Sequence, residues 1–181
     1  MRFLLSATWV GLLAASPGVT EPSPDTAGSQ VGCSVTKPNG TGVAGKPNSG
    51  NYGNGSLATS VSHDGTVTFR PGGSGCVGRN GSLWMKWPWW RGLRGALVVE
   101  GRRLDATSRP LRAWIPNGRF GYRDIGFIPS ALIFPEPGCW EVNARAGGAS
   151  LSFVTKVEKI GEGPATPCRN LFPAGAAEMD R

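Results

Sequence analysis

The apolar residues of this chain recur mainly at every second position, which is the pattern of β-strands. The clearest case is the segment 140–145, and the segment 151–158 repeats it after a turn at Gly147-Gly148. Alternation places one set of side chains on a single face of a strand. We therefore predict a closing β-hairpin whose Trp140 faces the core. Cys139 is out of phase with Trp140, which argues against a central disulfide between two sheets.

Shorter alternating runs upstream predict further strands near residues 57–61, 66–70, 82–87, 96–104, 111–115 and 131–134. Four Asn-Gly dipeptides and Asp64-Gly65 lie between them. These pairs tolerate the positive φ angles of tight turns. The turn Ser62-His63-Asp64-Gly65 predicts a hairpin over residues 57–70. Many short strands with closely spaced turns indicate an all-β sandwich.

The first residues have the composition of an export signal. A basic start at Met1-Arg2 is followed by the apolar run 3–15, which is too short to span a bilayer. We predict a signal peptide over residues 1–18, a disordered linker over 19–32, the sandwich over 33–160, and a Gly-, Pro- and Ala-rich tail over 161–181 that Cys168 partly tethers. No later stretch has the length of a transmembrane helix. The expected location is secreted, outside the cell or in its envelope.

The four cysteines are Cys33, Cys76, Cys139 and Cys168. Export implies an oxidising environment, so two disulfides are expected, and three pairings are possible. A zinc site is disfavoured because no two cysteines have knuckle spacing and the chain has one histidine. We expect neither a metal nor a cofactor.

The formal net charge is +7, and much of the excess is arginine between Lys86 and Arg123. A basic exported protein can meet anionic envelope polymers or lipid headgroups. The alternative is a solvated, arginine-rich sheet face. Export, rather than charge, argues against a nucleic-acid partner.

One segment combines aromatic and basic residues densely enough to suggest a binding surface. It comprises Trp84, Lys86, Trp89, Trp90 and Arg91. Indole rings can stack on the apolar face of a sugar, and tryptophan and arginine dominate interface hot spots. The alternative is that alternate tryptophans fill the core of a small sandwich.

The enzymatic alternative is a small hydrolase that uses His63 or a carboxylate pair. Ser62, His63 and Asp64 are consecutive, so they cannot form a catalytic triad among themselves. The spacing of the candidate carboxylates favours no glycosidase pair; they are Glu100, Asp105, Asp124, Glu136 and Glu141. A non-catalytic role is therefore favoured.

Several motifs together resemble a family of uncharacterised bacterial exported proteins. They are CSVTKPNG (33–40), NGSL (54–57), GSLWMK (81–86), WWRG (89–92), EGRRLDA (100–106), PLRA (110–113), GFIPS (126–130) and FPEPGCWEV (134–142). The resemblance implies an exported, immunoglobulin-like domain without an assigned activity. It also implies cysteines matching Cys33 and Cys139, so that Cys76 and Cys168 form the second pair.

These observations predict an exported, immunoglobulin-like, antiparallel β-sandwich held by two disulfides. Its predicted function is non-catalytic contact with a protein or glycan through the segment from Trp84 to Arg91. A purely structural domain without a ligand is the remaining alternative.

Overall fold

A computed structural model of the protein describes residues 32–116, 118–161 and 168. The predicted signal peptide, nearly all of the predicted linker and most of the predicted tail lie outside these residues. Within the described part, no helix is long and apolar enough to cross a membrane. Between residues 32 and 161, the helical element described is a short 3₁₀ turn at Gly118–Phe120.

The described strands form two sheets packed face to face. The first contains β1 (Tyr52–Gly53), β2 (Leu57–Thr59), β4 (Cys76–Val77), β5 (Leu83–Arg91), β7 (Arg112–Trp114) and β8 (Gly126–Phe134). Its order is β1-β2-β5-β8-β7, with β4 paired to β5. The second contains β3 (Thr66–Phe69), β6 (Val98–Arg103), β9 (Gly138–Ala146) and β10 (Ala149–Lys159), in the order β3-β10-β9-β6. The predicted all-β sandwich is confirmed.

The strand order matches that of a constant-type immunoglobulin domain. Such a domain places strands A, B, E and D in one sheet and C, F and G in the other. In chain order, β2, β5, β6, β7, β8, β9 and β10 occupy positions A to G, because β2-β5-β8-β7 are neighbours and so are β6-β9-β10. β5 and β8 are therefore the two central strands of the larger sheet.

The closing hairpin forms as predicted. β9 and β10 pair antiparallel from Ala146↔Ala149 to Gly138↔Val157. Gly147 and Gly148 both have positive φ, of 55° and 84°. A two-residue turn with positive φ at both positions matches the twist of the strands that it joins.

The predicted hairpin over residues 57–70 is wrong. β2 pairs with β1 and β5, whereas β3 lies in the other sheet and pairs with β10 in parallel, Val67 opposite Val157. The chain crosses between the sheets at the turn that contains His63. β3 therefore runs in the same direction as β10, and the pairing of these two strands departs from the antiparallel sandwich predicted from the sequence.

β5 continues through Pro88, although the predicted strand ended at Trp87. A proline lacks the N–H that an interior strand residue donates. Here Pro88 lies opposite Pro129 of β8, and the Thr59 hydroxyl at the end of β2 donates to the Pro88 carbonyl over 2.7 Å. A side chain thus satisfies the Pro88 carbonyl, and the alternation of β5 is unbroken from Leu83 to Arg91.

The core between the sheets is built around aromatic residues. Trp89 and Trp140 are fully buried, and Phe153 of β10 stacks on Trp87 with ring centroids 5.3 Å apart. Phe134 contacts Trp140 edge to face at 5.7 Å. Alternate residues of β5, β8, β9 and β10 supply this layer, as strand geometry requires.

The two disulfides are Cys33–Cys139 and Cys76–Cys168, the pairing that the resemblance implied. Neither crosses the core. Cys139 lies at the start of β9 and joins the segment before β1, which confirms that it does not form a central bond between the sheets. Cys76 belongs to β4, next to Trp84 of β5.

Candidate functional site

The segment predicted as a binding surface is a central strand, so its side chains point alternately into and out of the sandwich. Trp89 points inward, has no exposed surface, and donates its indole N–H to the Ser130 hydroxyl at 3.1 Å. Trp84 points outward but is only 1% exposed, because it packs with Ile133 and the Cys76–Cys168 disulfide. The prediction that Trp84 and Trp89 form a contact surface is therefore wrong.

Arg91 is also buried, which corrects its predicted role in binding. It is 3% exposed and donates through Nη1 to the Gly95 carbonyl at 2.9 Å and through Nη2 to the Arg123 carbonyl. Burial lowers the pKa of its guanidinium, and the nearby charge of Asp124 partly opposes this effect. Arg91 thus links the end of β5 to two loops.

Two of the five predicted residues remain accessible, and both lie on the outward side of the larger sheet. Lys86 is exposed and Trp90 is half-buried. Trp90 lies opposite Phe127 of β8, and their rings are 5.4 Å apart at an angle of 57°. Phe127 is 47% exposed. The packing of the core does not require two neighbouring aromatic rings on the outer side of β5 and β8.

Register extends this surface across the sheet. Pro88 faces Pro129 in the next outward row, and Lys86 aligns through Ala131 with Trp114 of β7. Trp114 contacts Phe120, which is 48% exposed, edge to face at 5.7 Å. We call the outward surface that carries Lys86, Pro88, Trp90, Trp114, Phe120, Phe127 and Pro129 the aromatic face. From the row of Trp114 to that of Trp90 it spans about 14 Å, since strands rise by about 3.4 Å per residue.

The indole N–H of Trp90 distinguishes it from the buried tryptophans. The indole N–H of Trp84 donates to the Ser82 hydroxyl at 2.8 Å, that of Trp87 donates to the Thr59 hydroxyl at 2.7 Å, and that of Trp140 donates to the Glu136 carbonyl at 3.1 Å. Buried indoles normally find such acceptors. No described residue accepts a hydrogen bond from the indole N–H of Trp90, so this group is available to a ligand or to solvent.

Sequence reasoning missed Phe127, Trp114 and Phe120 because they lie far along the chain from Trp90. The signal that could have found part of the site is the alternation of β5 itself. Continued through Pro88, it places Lys86 and Trp90 together and separates Trp89 from them.

His63 lies on an exposed turn, and no described residue hydrogen bonds with its imidazole. The turn is held by Asp64, which accepts from the Ser62 hydroxyl and from the Thr66 N–H. A general base is normally held by a partner and faces a site for substrate. His63 has no such partner among the described residues.

Four of the five candidate carboxylates form ion pairs with arginines. Glu141 contacts Arg102 at 2.7 Å, and Glu100 contacts Arg145 at 2.9 Å. Both pairs cross between β6 and β9 on the outer surface of the smaller sheet. The register places Glu100 opposite Asn143, two residues before Arg145, so the two charged side chains lie on the same face of the sheet.

Arg103 joins the other two carboxylates, at 2.6 Å to Asp105 and 3.2 Å to Glu136. Partial burial by itself would raise the pKa of Asp105, but the hydrogen bond and charge of Arg103 and the N–H of Cys139 hold it below its usual value. A carboxylate with a depressed native pKa stabilises the fold above its unfolded pKa, and this contribution is lost as the pH falls through the native value.

We therefore expect the free energy of unfolding to decrease on acidification from about pH 5 to about pH 2. Arg103→Gln should flatten part of this dependence, because Asp105 then loses the partner that lowers its pKa. Urea unfolding at several pH values measures both curves. Parallel curves for the two proteins would contradict the assignment.

No group of three or more His, Cys, Asp or Glu residues within the described ranges is placed to hold a metal ion. The residues of the aromatic face offer stacking surfaces, the Trp90 N–H and the charge of Lys86. No protein-family model matches the sequence, and a search of curated proteins finds no match.

Proposed function

We propose that this protein is an exported, non-catalytic module that binds a glycan through the aromatic face. The observation that carries the proposal is the Trp90–Phe127 pair near the ends of the two central strands, in which Trp90 is half-buried, Phe127 is exposed and the indole N–H is left for a ligand. Export is supported by the predicted signal peptide and by the two disulfides, which persist in oxidising compartments.

The shape of the aromatic face favours a glycan over the protein partner that the sequence left open. Three of its rings, those of Trp90, Trp114 and Phe127, are carried by strands of one sheet, and Phe120 in the 3₁₀ turn packs against Trp114. An extended polymer of pyranose rings offers repeated apolar C–H faces to such a row. Lys86, which no described residue pairs with, adds a donor for ring hydroxyls or acidic groups.

The non-catalytic part of the proposal rests on the smaller sheet and the turns. Glu100, Asp105, Glu136 and Glu141 form ion pairs with arginines, and no described residue hydrogen bonds with the His63 imidazole. A glycosidase needs two carboxylates that flank the scissile bond in one site. The aromatic face carries no such pair among the described residues.

Affinity electrophoresis tests the proposal, because a protein that binds a polysaccharide is retarded in a gel that contains it. The polymers are hydroxyethyl cellulose, dextran, polygalacturonate and its methyl ester. We expect the mature protein to be retarded by at least one of them. Trp90→Ala and Phe127→Ala should each weaken binding by about tenfold, since a stacked aromatic anchor contributes at least 1–2 kcal/mol.

The matched control is Val98→Ala, which removes a side chain that is 45% exposed on the outer surface of the smaller sheet. It should leave the retardation unchanged, and the free energy of unfolding of all three variants should stay within about 1 kcal/mol of that of the parent. Failure of every polymer to retard the protein would contradict glycan binding. Equal losses in the control and the two aromatic variants would contradict the assignment of the face.

A further inference from the structure

A small cavity opens at the end of the larger sheet away from Trp90. Its volume is ≈ 210 Å³, and the described residues that line it include Asn80, Arg109, Pro110, Arg112 and Ile133. Arg112 and Ile133 lie in the same outward row as Trp84, six residues along β5 from Trp90. The cavity is therefore about 20 Å from the Trp90–Phe127 pair.

A chain of hydrogen bonds fixes which atoms of Asn80 are available there. The buried Trp84 donates its indole N–H to Ser82 Oγ at 2.8 Å, and Ser82 Oγ donates to Asn80 Oδ1 at 2.6 Å. The same Asn80 Oδ1 accepts the Ser82 backbone N–H at 3.0 Å. The Asn80 amide oxygen and the Ser82 hydroxyl hydrogen are thus both engaged. The two N–H groups of Asn80 Nδ2 remain as donors.

Among the described residues that line the cavity, the charged ones are Arg109 and Arg112. Arg109 forms no hydrogen bond or ion pair with a described residue, so its guanidinium is the one proposed to meet a ligand. Glu136 follows Pro135 of the lining but is absent from the described lining itself; it contacts Arg103 at 3.2 Å and is close enough to Arg109 for the two charges to interact. The side chains of the cavity therefore offer donors and positive charge, and they suit a group that only accepts hydrogen bonds.

We propose that this cavity binds the ring carboxylate of a uronic-acid residue, so that the glycan bound by the aromatic face is an acidic polysaccharide. A guanidinium matches a carboxylate through two parallel hydrogen bonds. Pro110, Ile133 and Pro135 supply apolar walls for the pyranose ring that carries this group. The inference rests on the proposed function and adds the chemical class of its ligand.

The position of the cavity suits a polymer rather than a single sugar. It is too small for a ligand of ordinary drug size, whose pockets begin at about 300 Å³. It shares one sheet face with Lys86, Trp114 and Trp90. Between the cavity and Lys86 the outward side of the sheet carries a buried cluster in which Trp84, Ala131 and Ile133 pack with Cys168. A chain that places one uronate in the cavity therefore reaches the remaining rings by passing around this cluster.

Isothermal titration with a purified oligogalacturonate and its full methyl ester tests the proposal. The ester removes the charge and keeps the sugar ring. We expect the acid to bind at least about tenfold more tightly than the ester. Arg109→Gln should remove about tenfold of the affinity for the acid and leave that for the ester nearly unchanged.

Asn80→Asp provides a second variant that preserves the fold. A carboxylate oxygen can replace Oδ1 as the acceptor of the Ser82 N–H, so the turn is kept. The two amide donors are lost and a negative charge is added, so affinity for the acid should fall by tenfold or more at an unchanged unfolding midpoint. Arg70→Gln is the charge-matched control, because Arg70 follows β3 in the other sheet.

Each alternative explanation of the binding predicts a different pattern of affinities. Equal losses for Arg109→Gln and Arg70→Gln would overturn the proposal in favour of general attraction to net charge. Equally tight binding of acid and ester would overturn it while leaving the proposed glycan function intact. Arg109-dependent binding of poly-glutamate or dextran sulfate at the affinity of oligogalacturonate would overturn the assignment to a uronic acid.

Discussion

Trp89→Ala should lower the free energy of unfolding by about 3–5 kcal/mol, whereas Trp90→Ala should lower it by less than about 1 kcal/mol. Trp89 is fully buried, contacts Phe153 with ring centroids 6.1 Å apart, and donates to Ser130. Its removal leaves a large cavity between the sheets. Trp90 contacts Phe127 on the outer surface, where water replaces the lost contact.

Guanidinium unfolding followed by circular dichroism measures both free energies. If Trp89→Ala does not fold, Trp89→Phe keeps a ring in the core and should still cost more than Trp90→Ala. Equal costs at the two neighbouring positions would contradict the alternation of β5. A pair of adjacent tryptophans with opposite effects on stability would establish which side of the strand is available to a ligand.

Replacing both Cys33 and Cys139 by serine should destabilise the domain by about 2–5 kcal/mol. The bond closes a loop with a sequence separation of 106 residues, and long loops lose most entropy when they are closed in the unfolded chain. The bond also holds the segment that contains Thr36 against β10 of the smaller sheet. The Thr36 N–H donates to the Val154 carbonyl at 2.8 Å, and the Val154 N–H donates to the Thr36 hydroxyl at 2.9 Å.

Chemical unfolding with and without reductant measures this effect. The oxidised parent should be more stable than the double variant, and reductant should cause little further loss in the variant beyond that from Cys76–Cys168. Amide hydrogen exchange at Val154 should accelerate in the variant if the segment detaches from β10. A loss below about 1 kcal/mol, with unchanged exchange at Val154, would contradict a stabilising role for this bond.

The parts of the sandwich that depend on residues close together in the sequence were predicted well. The closing hairpin combines alternation with a turn whose two glycines adopt positive φ. Likewise, Asn39, Asn54, Asp64 and Asn80 each accept the N–H two residues ahead, as the residue before a turn glycine commonly does. These interactions involve neighbours along the chain, so composition and spacing reveal them.

Long-range pairing could not be predicted from the same signals. The turn at His63 has the sequence of a hairpin, yet β2 and β3 pair with β5 and β10. Pro88 has the sequence of a strand end, yet the Thr59 hydroxyl and the facing Pro129 make it compatible with a central strand. In both cases the deciding partner lies tens of residues away.

The candidate site was half predictable for the same reason. Trp90 and Lys86 belong to one segment and were identified, but Trp89 and Arg91 were grouped with them because the strand was expected to end at Trp87. Phe127 completes the pair only through the register of β5 with β8. The Asn80 and Arg109 cavity is likewise formed by residues from separate loops.

Hydroxyl-radical footprinting of the mature protein with and without oligogalacturonate, followed by mass spectrometry, tests most directly whether the aromatic face binds a glycan. The ligand should protect Trp90, Phe127 and Trp114 from oxidation and leave the oxidation of Val98, on the outer surface of the smaller sheet, unchanged. Unchanged oxidation of Trp90 and Phe127 in the bound state, with protection of Val98 instead, would contradict the aromatic face as the contact surface.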